Sequence, residues 1–172
     1  MMQQAMNNAK VLYQLSVSRE DVESAEKLYH MESELKKVLA DPTVSLEKKE
    51  HIIEKVFSLT ELPELLRNFL KVICANRQID ELDDIFEAYY EYWDEKHNIM
   101  RAELSYAVKP EQTEIEQAEK FMIKKYPGKQ FVFNEKIDEN LLGGILIRVG
   151  HEEYDWSYYG ILNQLERKLT GR

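Results

Sequence analysis

Apolar residues recur at intervals of three and four along the first hundred residues, which is the spacing of one helix face. Five such stretches follow one another, separated by short polar or proline-containing breaks. In chain order they run from Met6 to Val17, Val22 to Leu39, Leu46 to Phe57, Leu62 to Ile73 and Leu82 to Trp93. The pattern therefore predicts a bundle of five amphipathic helices joined by short loops. The second helix is expected to continue to Asp41-Pro42, because proline cannot extend the hydrogen-bond ladder.

The period changes near residue 100. Apolar and polar residues alternate from Ala102 to Val108, which predicts a half-buried strand. Phe131 and Phe133 alternate in the same way, and so do the residues from Ile145 to Val149. Helical spacing returns twice, first at Ile115, Ala118, Phe121 and Met122, and finally at Tyr158, Ile161, Leu162, Leu165 and Leu169. Asp155 or Ser157 is expected to cap that last helix.

These elements predict the α+β class, with an N-terminal all-α helical bundle followed by a small mixed α/β domain. The switch in period places the boundary at about residue 100. We therefore expect residues 1–100 to form the helical domain and residues 101–172 to form the C-terminal domain.

Composition narrows the possible partners. The 172 residues are 44% hydrophobic, which is enough for packed cores, and the formal net charge is −9. An acidic surface repels phosphate backbones, so nucleic acid is a poor candidate for a partner. No apolar run reaches the length of about 20 residues that a membrane-spanning helix needs. The N-terminus does not resemble a signal peptide, and the single cysteine, Cys74, agrees with a reducing compartment. These features favour a cytosolic bacterial protein, although a processed organellar form remains open.

Patterns typical of enzymes are weak in this sequence. The four histidines are scattered along the chain and do not combine with other ligands at metal-site spacings. Gly143-Gly144 precedes a strand, whereas a phosphate-binding loop would lead into a helix. We therefore expect neither a catalytic residue nor a cofactor or metal site, and we interpret the glycine pair as a tight turn.

Two helices carry more apolar surface than one buried face requires. Val11 and Leu15 lie off the main apolar stripe of the first helix, and Ala88 and Tyr92 lie off that of the fifth. These four residues are candidates for a groove that binds an amphipathic helix. The alternative is that both helices are enclosed by the bundle and bury these faces internally.

Aromatic residues are concentrated near the end of the chain, at Tyr154, Trp156, Tyr158 and Tyr159. Aromatic side chains are enriched at protein interfaces, and they are also ordinary core residues of small domains. The pattern does not separate these two interpretations.

The C-terminal segment resembles the signature of the delta subunits of F-type ATP synthases, a family that includes the mitochondrial oligomycin-sensitivity-conferring protein. The signature is a glycine pair, an apolar strand, a glycine turn and Asp-x-Ser before a leucine-rich helix. Here these are Gly143-Gly144, the strand to Val149, Gly150 and Asp155-Trp156-Ser157. Weaker similarities extend over nearly the whole chain and include Leu39-Ala40-Asp41-Pro42, Asn68-Phe69-Leu70, Asn76-Arg77 and Glu103 to Ala107. The sequence departs from the family where Asn76-Arg77-Gln78 lacks a glycine and where Tyr158 follows the motif serine.

The resemblance implies a non-catalytic stator subunit that links the alpha/beta head to the peripheral stalk. It implies that the helical domain binds N-terminal segments of the alpha subunit and that the C-terminal domain binds the ends of the b subunits. The chain would then lie at the cytoplasmic face of the bacterial cell membrane, attached through the complex, and would be monomeric by itself. Gly143, Gly144, Arg148, Asp155 and Ser157 would bind the stalk or would serve only to build the domain.

Other functions remain open on the sequence alone. An acidic helical adaptor of another complex would share the composition and would differ only in the C-terminal motif. A small enzyme with an unrecognised site and a helical RNA-binding antitermination factor are further alternatives, the second disfavoured by charge.

Overall fold

The computed structural model describes residues 2–31, 33–58 and 62–170. The chain divides into two compact units, Met1–Trp93 and Asp94–Arg172. Mostly helical structure in the first unit and a small sheet with helices in the second confirm the predicted α+β class. The helices of the first unit are α1 (Met2–Gln14), α2 (Arg19–Met31), α3 (Ser33–Ala40), α4 (Leu46–Ser58), α5 (Glu64–Ala75) and α6 (Leu82–Lys96).

The single long second helix of the sequence pattern corresponds to α2 and α3. These helices lie on either side of Glu32, which is outside the described residues. A short 3₁₀ turn, Ile79–Glu81, leads into α6 and was not expected from the pattern.

The core of the first unit is formed by the predicted apolar stripes. Its largest fully buried side chains include Leu12, Tyr29, Phe57, Phe86 and Tyr89. The hydroxyl of Tyr29 donates a hydrogen bond to the carbonyl oxygen of Ile79 at 3.1 Å, so its polar end is satisfied inside the core. Burial raises the pKa of Tyr29 above that of a free tyrosine, with a smaller contribution from Asp83.

One residue of the predicted core is on the surface. Leu65 was counted in the wide apolar face of the fourth helix, yet its side chain is 53% exposed. Val72, seven residues later and on the same side of α5, is 56% exposed. The buried face of α5 is formed instead by Leu66, Phe69, Leu70, Ile73 and Cys74.

The second unit contains a four-stranded sheet in the order β2-β1-β3-β4. Its elements are β1 (Ile99–Tyr106), α7 (Gln112–Lys125), β2 (Gln130–Ile137), β3 (Gly144–Val149), β4 (Glu152–Ser157) and α8 (Tyr158–Thr170). Strands β1 and β2 are parallel and are joined through α7, as parallel neighbours require a crossover. The β1–β3 and β3–β4 pairs are antiparallel.

Strand β4 was not predicted, because Asp155 and Ser157 were interpreted only as helix caps. It pairs with β3 from Val149↔Glu152 to Gly144↔Ser157 across the turn at Gly150. Tyr154 and Trp156 alternate with charged residues along β4 and pack against the core on one side of the sheet. That core joins Ala118 and Met122 of α7 to apolar residues of β1 and β3.

The division between the units falls inside α6, whereas the change in sequence period lies near residue 100. Asp94 explains the difference, because its carboxylate accepts hydrogen bonds from Arg101 of β1 at 2.5 and 3.3 Å. The last turn of α6 is therefore connected to the sheet.

Candidate functional site

The four residues of the predicted groove have different environments. Val11 is 48% exposed, and Leu15 is half-buried against the core of the first unit. Ala88 is buried. Tyr92 is half-buried, and its ring contacts Tyr13 edge-on with the centroids 5.2 Å apart.

Helix geometry separates Val11 from Tyr92. The side of α1 that meets Tyr92 carries Tyr13 and Lys10, whose Nζ lies 5.8 Å from the centre of the Tyr92 ring. Tyr13 follows Val11 by two residues, which is a rotation of about 200° around an α-helix. Leu15 lies four residues after Val11 and shares its side of α1. The structure therefore brings α1 and α6 together but does not place Val11 and Leu15 opposite Tyr92.

The exposed apolar side chains of α5 were missed as candidates. Leu65 and Val72 are a pair at i and i+7, so both lie on one side of the helix. Their signal in the sequence is that the apolar residues of α5 cover more than one stripe. The same signal selected the first and fifth helices for the groove but was not applied to α5.

The glycine pair of the C-terminal motif lies where β3 begins beside the end of β4. A Cβ on Gly143 would come 2.7 Å from the ring of Tyr158, and the φ angle of Gly143 is +134°. At Gly144, with φ of +74°, a Cβ would overlap the backbone carbonyl oxygen of Trp156. Both glycines are therefore required by close approach and by backbone conformation.

Asp155 and Ser157 build the junction between β4 and α8. Oδ1 of Asp155 accepts hydrogen bonds from the backbone N–H of Ser157 at 2.8 Å and from its hydroxyl at 2.5 Å. Oγ of Ser157 in turn accepts the backbone N–H of Gly160 at 3.0 Å. This is the bond pattern of an N-cap, the structural role that the sequence suggested for Ser157.

Arg148 is on the solvent-facing side of the sheet. Its guanidinium pairs with Glu153 at 2.7 Å and with Glu103 at 3.7 Å, across the neighbouring strands. The hydrogen bond to Glu153 raises the pKa of Arg148. The side chain is half-exposed, so a partner protein would reach it without refolding of the sheet.

The last helix presents an apolar surface to solvent. Tyr158, Ile161, Leu162, Leu165 and Leu169 are all between 46% and 87% exposed. They form one side of α8, which we call the α8 seam. The aromatic residues before it are divided in two, because Tyr154 and Trp156 are half-buried in the sheet core whereas Tyr158 and Tyr159 are exposed.

A cleft of about 390 Å³ adjoins the start of this seam. Its lining includes Ala118 and Gln117 of α7, Ile145 of β3, Trp156 of β4 and Tyr158 of α8. The cleft is therefore mostly apolar inside.

Comparison with known proteins decides the family. The sequence profile of the family described as ATP synthase delta (OSCP) subunit matches residues 5–169. The chain belongs to the ATP synthase delta (OSCP) subunit family. A relative described as ATP synthase subunit delta, from Clostridioides difficile, is 33% identical over 134 residues, covering 78% of this chain and 73% of the relative. Another from Bacillus thuringiensis (strain Al Hakam) is 31% identical over 163 residues, covering 94% of this chain and 88% of the relative.

The delta (OSCP) fold is also shared with a solved structure. A chain in the cryo-EM structure of the Toxoplasma gondii mitochondrial ATP synthase hexamer superposes with a TM-score of 0.60 at 17% identity. The superposition covers 96% of this chain and 97% of that chain. At this identity the likeness concerns the fold.

In this delta (OSCP) chain the residues that carry the family resemblance are mostly backbone determinants. Gly143 and Gly144 allow two strands and a ring to approach, and Asp155 with Ser157 starts α8. Their joint effect is to set where the α8 seam leaves the sheet. Within the described residues, three or more His, Cys, Asp or Glu side chains do not gather as a metal site would require, and the helices there are too short or too polar to cross a bilayer.

Proposed function

We propose that this chain is the connector of an ATP synthase stator, with the first unit bound to N-terminal segments of the alpha subunit and the second to the C-terminal ends of the b subunits. Family membership makes it a non-catalytic subunit associated with the ATP synthase complex. The observation that supports the connector role is that each unit has its own buried core and its own exposed apolar surface.

On the head side, the exposed apolar residues of the first unit are the proposed contact for an amphipathic helix. Val11 of α1 and the α5 pair Leu65 and Val72 have their side chains about half in solvent. We retain Leu15, Ala88 and Tyr92 as neighbours of this contact. Their burial suits a supporting role better than direct anchoring.

On the stalk side, the second unit supplies Arg148 on the sheet and the α8 seam. Gly143, Gly144, Asp155 and Ser157 support this contact by fixing the backbone from which α8 starts. Their side chains or backbone are occupied by contacts inside the unit, which favours the building role over direct stalk binding.

Two attachments on one protein suit a tether that must not release under load. Once one unit is bound, the other is held near its target, so each contact raises the effective concentration for the other. The connector would thereby prevent the head from turning with the rotor, so that rotation drives ATP synthesis. The chain would lie at the cytoplasmic face of a bacterial cell membrane, bound peripherally through the complex.

Affinity capture tests this function. A tagged chain expressed from its own locus is recovered from detergent-solubilised membranes, and the co-purifying proteins are identified by mass spectrometry. We expect alpha, beta and b subunits, and we expect the chain to leave the membrane when the peripheral part of the ATPase is stripped at low ionic strength. Recovery of a complex that contains none of these subunits would refute the proposal.

A further inference from the structure

The α8 seam has the spacing of a coiled-coil surface. Tyr158, Leu162, Leu165 and Leu169 are separated by four, three and four residues, which is the alternation of the a and d positions in a heptad. Eleven residues of helix separate the first from the last, a length of about 16 Å. All four side chains are at least half-exposed, so the seam is unoccupied by the rest of the second unit.

The seam continues into the cleft beside α7. Tyr158 is the first residue of the seam and also lines the cleft together with Trp156 and Ile145. Phe121 of α7, which is 40% exposed, contacts the Trp156 ring edge-on with the centroids 5.0 Å apart. An apolar surface therefore runs from Phe121 across the cleft and along α8 to Leu169.

We propose that this continuous surface is the stalk-binding site of the second unit, and that its occupant is a single α-helix with apolar residues at heptad spacing, whose end places one side chain in the cleft. The inference rests on the proposed function, because it names the contact through which the b-subunit end is held.

The spacing argues for a helical occupant. Knobs that alternate by three and four residues fit the holes of another helix crossing at a small angle, whereas an extended strand presents side chains every second residue. Four exposed apolar positions in thirteen residues of α8 are also more than a solvated helix face requires.

The cleft selects how the bound helix ends. Its interior is apolar, with Ala118, Ile145 and Trp156, and its rim carries the carboxylate of Glu114 and the amide of Gln117. An apolar or aromatic side chain fits the interior, and a basic group beside it would meet Glu114 at the rim. Because the seam itself is apolar, we expect the affinity to change little with salt concentration.

The test measures binding of the full chain to the purified soluble part of the b subunit from the same genome. Leu165→Asp places a charge in the middle of the seam and should weaken binding tenfold or more, as expected for an apolar anchor. Leu65→Asp is the matched control, because Leu165 and Leu65 are 50% and 53% exposed leucines of different units. Both variants should retain the circular dichroism spectrum of the parent, since both sites are on the surface. A Trp156→Leu variant should show a smaller loss and tests the cleft.

The outcomes separate the inference from the function. If the parent chain binds the b subunit and Leu165→Asp binds equally well, the seam is not the site and the inference is refuted while the connector role stands. If the parent chain does not bind the b subunit, the proposed function itself fails. If sedimentation shows that the parent chain forms dimers that Leu165→Asp abolishes, the occupant is a second copy and the b-subunit proposal is overturned.

Discussion

The carboxylate of Asp155 occupies the space in which a side chain at Gly160 would begin. A Cβ on Gly160 would overlap all three atoms of that carboxyl group. The carboxylate is held in place by its hydrogen bonds to Ser157, and Ser157 is bonded to the backbone N–H of Gly160. The glycine, the aspartate and the serine therefore form one interlocked start of α8.

This relationship predicts an inverted effect of alanine at position 160. In an ordinary helix, Gly→Ala stabilises by about 1 kcal/mol. Here Gly160→Ala should lower the free energy of unfolding of the second unit by about 1–3 kcal/mol, because the carboxylate has to move away from its partners. Urea unfolding followed by the fluorescence of Trp156, in a Trp93→Phe background, measures it.

A double-mutant cycle gives the control for position 160. In an Asp155→Ala background the overlap is gone, so Gly160→Ala should be neutral or stabilising. Stabilisation by Gly160→Ala in both backgrounds would show that the close approach is not as described.

A second prediction concerns the glycine that begins β3. Gly144→Ala has to adopt a left-handed conformation and also meets the backbone carbonyl of Trp156. Gly150→Ala also has a positive φ, of +57°, but meets open space. Gly150→Ala should therefore lose only the conformational term of about 1–2 kcal/mol, and Gly144→Ala should lose at least about 1 kcal/mol more. Equal losses in chemical denaturation would contradict the proposed tight contact.

A third prediction tests the head contact. Val11→Asp should weaken binding of a synthetic alpha N-terminal peptide about tenfold or more, because it puts a charge on an apolar contact surface. Met31→Asp is the control, since Met31 is 77% exposed on another helix of the same unit. Isothermal titration calorimetry gives both affinities. Unchanged affinity for Val11→Asp would remove α1 from the proposed contact.

Ala88→Asp is a poorer test of the same contact. Ala88 is 8% exposed, so the new carboxylate would be buried and would destabilise the bundle. We expect this variant to lose peptide binding together with thermal stability, which leaves the two causes mixed.

A fourth prediction concerns pH. The side chain of Glu54 on α4 accepts a hydrogen bond from Lys71 on α5 at 2.6 Å, and this bond is the main cause that lowers the pKa of Glu54. A lowered folded-state pKa contributes stability that is fully present above the unfolded pKa, about 4.3 for glutamate, and is lost as pH falls through the folded value. Glu54→Gln should therefore reduce stability at pH 7 and have little effect at pH 3.

Urea midpoints of the parent and of Glu54→Gln, measured from pH 7 to pH 3, test this dependence. Glu47→Gln on the same helix is the control, because the ion pairs found among the described residues do not involve Glu47. A constant difference in midpoint between the parent and Glu54→Gln at all pH values would refute the link to Lys71.

Periodicity alone predicted most of the secondary structure. The change from a three-four spacing to alternation near residue 100 indicated helices before it and strands after it, and the structure has α6 ending at Lys96 and β1 beginning at Ile99. Strand β4 was missed because its six residues carry mostly charged and polar side chains, with Tyr154 and Trp156 as the only apolar positions. Its assignment needs the pairing with β3, which is a long-range contact.

What the sequence by itself determined is the fold class and the family, because both depend on local spacing and on a contiguous motif. Only the tertiary structure decided which apolar faces are covered. The stripe of α8 and that of α1 look alike in sequence, yet Leu12 is fully buried and Leu165 is half in solvent. The reason is physical: helical spacing records that a face is apolar, whereas burial depends on whether another element is placed against that face.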